Sequence, residues 1–170
     1  ILQAYGKTAR TSLITRGVTE VSLDEISVIQ GAHILLVEDN EVNQQVASEN
    51  LKRARFFVDI ANNGQVALDM LETSTYDLVL MDVQMPVMNG YDATRAIRAD
   101  QRFKNLPVLA MTANATVSDK KKAIEAGMND HISKPIDPAT LYNALLKWIE
   151  PGQRELPQDV VTEQNEEQII

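Results

Sequence analysis

Four short apolar runs, each ending on a residue suited to chemistry, constrain this chain more than any other feature. Leu78-Val-Leu-Met81 is too short for a helix and is bounded by Asp77 and Asp82, so it predicts a strand buried on both faces. His33-Ile-Leu-Leu-Val37 runs into Glu38, Asp39 and Asn40, and Pro107-Val-Leu-Ala-Met111 runs into Thr112. Asp130-His-Ile-Ser133 delivers Lys134 and Pro135. In an open α/β sheet the carboxyl ends of the strands line the crevice where ligands bind. The sequence therefore sends three acids, a hydroxyl and a lysine toward one such crevice.

Helix-length stretches separate these runs, which is the signature of βα units and a parallel sheet. Asn40 predicts a helix cap ahead of a stripe made by Val42, Val46, Ala47 and Leu51. Phe57 to Ala61 reads as another strand, and Asn62-Asn-Gly64 turns it into a helix expected to bury Val66, Ala67, Met70 and Leu71. Pro86 and Asn89-Gly90 make a turn before a helix bearing Tyr91, Ala93, Thr94 and Ile97. A helix over Ser118 to Ala126 is closed by Gly127, and a last one starts near Pro138 with Leu141, Ala144, Leu145 and Trp148 facing the core. We divide the chain into a linker at 1–31, a domain at 32–150 and an acidic, mobile tether at 151–170. Ser22-Leu-Asp-Glu25 fits a capping box that would open one short element within the linker.

Composition excludes more than it identifies. A chain of 170 residues can bury a full core, and without cysteine it has neither a disulfide framework nor a thiolate metal site. Its apolar runs are strand length, so no membrane span or signal peptide is expected, and a cytoplasmic location fits. The formal net charge of -8 and the lack of a basic stripe interleaved with aromatics argue against nucleic-acid binding.

Leu36-Val-Glu-Asp-Asn40, Met81-Asp-Val-Gln-Met-Pro-Val-Met-Asn-Gly90, Met111-Thr-Ala113 and Ser133-Lys-Pro-Ile136 resemble, in order and spacing, the response-regulator receiver domains of two-component signalling. The resemblance covers residues 32–150. It implies a doubly wound, flavodoxin-like sheet of five parallel strands in the order 2-1-3-4-5 with five helices, and the switch point between strands one and three would set Glu38, Asp39 and Asp82 side by side. Leu2 to Gly6 faintly resembles the end of a strand in an upstream receiver.

Three carboxylates at one crevice repel one another, and oxygen-only ligands suit magnesium. The resemblance implies that Asp39 and Asp82 bind Mg2+ directly, Glu38 through water, and Gln84 through its backbone carbonyl. Asp82 is then the phosphoacceptor, with Lys134 and Thr112 neutralising the phosphoryl oxygens. The Lys134-Pro135 bond resembles the family's cis peptide, and Thr112 is the switch hydroxyl. His131 stands where many members carry an aromatic; an imidazole changes charge near neutral pH, so a pH-sensitive output face is expected. The resemblance also implies that Gln84 and Asn114 occupy positions that tune the lifetime of the acyl phosphate. Neither His33 nor His131 lies in a helix resembling a phosphodonor box, and Trp148 is read as core.

Val37 to Asn43, followed by Gln44-Gln45, resembles receivers fused behind hybrid sensor histidine kinases. The partners so implied are a histidine kinase domain, a histidine phosphotransfer domain and a possible homodimer through the fourth helix, fifth strand and fifth helix. Any kinase activity would belong to other domains, while the receiver promotes its own phosphorylation and dephosphorylation. Two alternatives remain at this point. One is a receiver-like docking or dimerisation module that is never phosphorylated. The other is an aspartate-nucleophile phosphatase, disfavoured because that chemistry wants an acid where Gln84 stands.

Overall fold

The structure, a computed structural model, describes residues 23–113 and 116–158. Asn114, Ser22, the Leu2 to Gly6 stretch and the tail from Asp159 onward lie outside them. Five strands form one parallel sheet: β1 (His33–Val37), β2 (Phe57–Ala61), β3 (Leu78–Asp82), β4 (Val108–Thr112) and β5 (Asp130–Ser133). Their order is β2-β1-β3-β4-β5, as expected. Among the described residues six α-helices accompany them: α1 (Leu23–Ile26), α2 (Glu41–Arg53), α3 (Gly64–Thr73), α4 (Gly90–Ala99), α5 (Val117–Ala126) and α6 (Pro138–Trp148). The five helices that follow strands are those the sequence predicts, and α1 is a single extra turn.

Alternation along the buried strands splits the core into two layers. Ile34, Leu36, Leu78, Leu80, Leu109 and Met111 pack with Ala47 and Leu51 of α2 and Leu141 and Leu145 of α6. Leu35, Val37, Val79, Met81 and Ala110 pack on the other face with Ala67, Leu71, Ala93, Ile97 and Ala123 of α3, α4 and α5. β1, β3 and β4 therefore have apolar neighbours on both sides, which is why they read as continuous hydrophobic runs. Caps fix where the helices begin: Asn40, Asn63, Asn89, Thr116 and Asp137 each accept a backbone N–H of the first turn. Gly127 closes α5 in the left-handed region.

Three helix-face expectations need correction. Val42 and Val46 are 67% and 46% exposed, because α2 buries Ala47, Ser48, Asn50 and Leu51 instead. Val66 also lies outward. Trp148 is only half-buried, with its indole Nε1 donating to Asp130 Oδ2 at 2.9 Å.

The segments flanking the βα units are packed on them. Ile26 and Ile29 are fully buried against Leu141, Leu145 and Ile149, at about 1.5–3 kcal/mol each. Residues 149–158 then cross that N-terminal segment at the amino ends of the strands. Gly152 N donates to Val28 O at 3.0 Å, and Arg55 Nη2 donates to Pro157 O at 3.2 Å.

Candidate functional site

At the opposite end of the sheet the predicted residues converge. Glu38 is the first residue past β1, held by its N–H donating to Ala61 O at 3.0 Å, and its side chain turns inward to 2% exposure. Asp39 beside it faces solvent. Asp82 is the last residue of β3 and 4% exposed. Gly90, at the start of α4, passes so close that an added Cβ would fall 2.9 Å from Val83 Cα and against the Asp82 carbonyl. No larger residue leaves that loop where it is. One carboxylate oxygen from each of Glu38, Asp39 and Asp82 lies within 4.8 Å of the others.

Lys134 enters from β5. Its N–H donates to Thr112 O at 2.8 Å, and the Lys134-Pro135 peptide is cis. Its Nζ lies 2.7 Å from Glu38 Oε2 and 3.2 Å from Asp82 Oδ1. Thr112 ends β4 beside Ser133 and is buried. Gln84 is exposed, and its N–H donates to Asp82 Oδ1 at 3.2 Å. His131 sits two residues below the end of β5, opposite Ala110, with Nδ1 3.7 Å from Asp130 Oδ1. It is set apart from the acid cluster along the strand.

Electrostatics follow from this packing. Burial, and then the charge of Glu38, push the Asp82 carboxyl from 3.8 to about 6, against the pull of Lys134. Burial opposes the Lys134 charge, but the hydrogen bond to Glu38 and the charges of Asp82 and Glu38 win, so its amine is held above the usual lysine value. The pocket carries excess negative charge that one lysine does not cancel. With oxygen donors alone and neither His nor Cys among them, Glu38, Asp39 and Asp82 fit a hard divalent cation.

Asn43 and Gln44, which the sequence marks only as part of a resemblance, stand behind the acids. Asn43 Nδ2 donates to Glu38 Oε1 at 3.3 Å, and Gln44 Nε2 donates to Glu38 O at 2.7 Å and to Asn62 Oδ1 at 2.9 Å. The available signal was two adjacent carboxamides in the first turn after an acidic pair.

Residues 34–146 match the response regulator receiver domain family. The chain belongs to this family. A hybrid signal transduction histidine kinase, M of Dictyostelium discoideum, is 42% identical over 121 residues, which is 68% of this chain and 5% of that protein. The receiver thus spans a small fraction of the length of such a relative. The receiver domain of a sensor histidine kinase from Pseudomonas aeruginosa, solved with magnesium coordinated in its active-site cleft, superposes with TM-score 0.66 at 42% identity, covering 69% of this chain and 97% of that one. The receiver domain of Ssk1 from Saccharomyces cerevisiae, solved with the histidine phosphotransfer protein Ypd1, superposes with TM-score 0.67 at 29% identity over 71% of this chain and 90% of that one. As a receiver domain this chain is a part of two-component signalling. No helix among the described residues is long and apolar enough to cross a membrane.

Proposed function

We propose that this receiver accepts a phosphoryl group from a phosphohistidine on Asp82, in a magnesium-dependent reaction, and then relays it to a histidine phosphotransfer partner or changes conformation. The carrying observation is the meeting of three carboxylates within 4.8 Å of one another with the Lys134 ammonium 3.2 Å from Asp82.

An ionised Asp82 oxygen attacks phosphorus while the bond from phosphorus to the imidazole nitrogen breaks, and that nitrogen keeps the electron pair. The product is an acyl phosphate. Lys134 holds one phosphoryl oxygen, and Thr112 donates its hydroxyl to another. Magnesium, when held by Asp39, Asp82 and the Gln84 carbonyl with Glu38 behind it, supplies charge neutralisation on the remaining side. Val42 and Val46 on α2 and Val87 on the loop after Asp82 are exposed apolar side chains on the segments that follow the acids in sequence. Such a rim suits a docking protein partner. The parent protein is read as a hybrid sensor histidine kinase, with the kinase domain as phosphodonor in cis or trans. His131, on β5, is the candidate for a pH-sensitive output face.

Incubation with acetyl phosphate or phosphoramidate and Mg2+, followed by intact mass, tests the reading. A phosphoryl-sized gain that vanishes in Asp82→Ala and with chelator is expected. No gain in the wild type would leave a docking module.

A further inference from the structure

We infer that Asn43 and Gln44 are positioning residues for the acid cluster: the neighbouring carboxamides hold Glu38 at its carboxylate and its carbonyl, and so fix the arm it presents to a divalent ion and to Lys134. This deepens the proposed receiver chemistry and rests on it.

Glu38 lies in the turn between β1 and the α2 cap rather than within an element. A side chain with three torsions in such a turn spreads over several rotamers unless something holds it. Four donors do. Lys134 Nζ meets Oε2 at 2.7 Å, Asn40 N and Asn43 Nδ2 meet Oε1 at 3.2 and 3.3 Å, and Gln44 Nε2 meets the backbone oxygen at 2.7 Å. The same Gln44 nitrogen donates to Asn62 Oδ1 at 2.9 Å, which ties the turn after β1 to the turn after β2.

The start of the helix explains why the amides are available. Asn43 is the third residue of α2, where a capping-box side chain accepts the backbone N–H of the cap residue. Here Glu38 Oε1 accepts the Asn40 N–H itself, while the Asn40 side chain accepts the Asn43 N–H at 3.0 Å. The cap is closed without the Asn43 amide nitrogen, which turns to Glu38. An acid at this position would set a second negative charge against Oε1, and an aliphatic residue would leave that oxygen one donor. Gln45, the next residue, gives the contrast: its Nε2 donates outward to Glu49 Oε1 at 3.2 Å. A carboxamide on α2 does not by itself reach the site.

The test is calorimetric titration of Mg2+ into the unphosphorylated full chain, paired with acetyl phosphate rates across Mg2+ concentration. Groups that orient a metal ligand change affinity by about 10–100-fold, so Asn43→Ala and Gln44→Ala are each expected to weaken Mg2+ binding about tenfold. The Mg2+ concentration for half-maximal phosphorylation rises in parallel, and the rate at saturating Mg2+ stays at the wild-type value. Gln45→Ala binds Mg2+ as the wild type does. In a Glu38→Gln background, Asn43→Ala adds less than about twofold, because the carboxylate through which it acts is gone. An equal penalty in both backgrounds, or wild-type affinity in Asn43→Ala and Gln44→Ala, overturns the inference while leaving the receiver reading intact. A wild-type chain that neither binds Mg2+ nor gains phosphate overturns both.

Discussion

Lys134 is bound more closely to Glu38 than to Asp82: Nζ lies 2.7 Å from Glu38 Oε2 and 3.2 Å from the proposed phosphoacceptor. The cation expected to grip a phosphoryl oxygen is thus held in advance by an acid that does not take part in the bond change. It also offsets two buried negative charges. Breaking a buried pair leaves an uncompensated charge, so Lys134→Ala is expected to lose about 3 kcal/mol of metal-free stability at neutral pH. Urea denaturation measures this, and added Mg2+ should recover part of the loss in the variant. A variant as stable as the wild type without Mg2+ would refute the electrostatic account.

The Asp82 carboxyl, raised from 3.8 to about 6, gives a pH dependence of known sign. Burial comes first among the causes, and the Glu38 charge second. A carboxyl raised by folding binds its proton more tightly in the folded state, so its contribution is fully present below about pH 4 and is lost as pH rises through about 6. The full span is about 3 kcal/mol, from the two-unit shift. Metal-free wild type should therefore lose stability between pH 4 and 7 relative to Asp82→Asn, and the variant should be the more stable of the two at pH 7.5. Parallel stability curves for the two proteins across that range would refute it.

Val87 adopts φ 72° while 84% exposed, on the loop that follows Asp82. A β-branched residue in the left-handed region is strained by about 1–3 kcal/mol, and at this exposure little packing is lost by removing it. Val87→Gly should stabilise the fold by about 1 kcal/mol after the added chain entropy of glycine. A melting temperature at or below that of the wild type would count against it.

At the other end of the sheet, Gly31 has φ 85°, and a Cβ there would fall 2.7 Å from Arg154 Cβ and against the Glu155 carbonyl. Gly31→Ala should destabilise the domain by about 2 kcal/mol, combining left-handed strain with displacement of residues 152–157. Amide exchange at Gly152, whose N–H donates to Val28 O, should quicken in the variant. Unchanged exchange there would mean that the two segments do not brace each other.

Strand order and the converging acids were legible because β1, β3 and β4 are buried on both faces, which leaves apolar runs with chemistry only at their ends. The face of α2 was not legible. Val42 and Val46 look like core by type, yet Ser48 and Asn50 are buried in their place, and only the packing of a helix against its sheet settles which stripe turns inward. The same limit hid Ile26 and Ile29, which gave no sustained period in a stretch punctuated by glycine. Donors to Glu38 from Asn43 and Gln44 depend on side-chain direction in a turn, which residue spacing does not encode.

Because residues 23–31 and 149–158 cross at the amino ends of the strands and the acids gather at the carboxyl ends, the described residues moor one pole of the sheet and place the chemistry at the other. A protein partner closing over Asp82 would meet neither of those two segments.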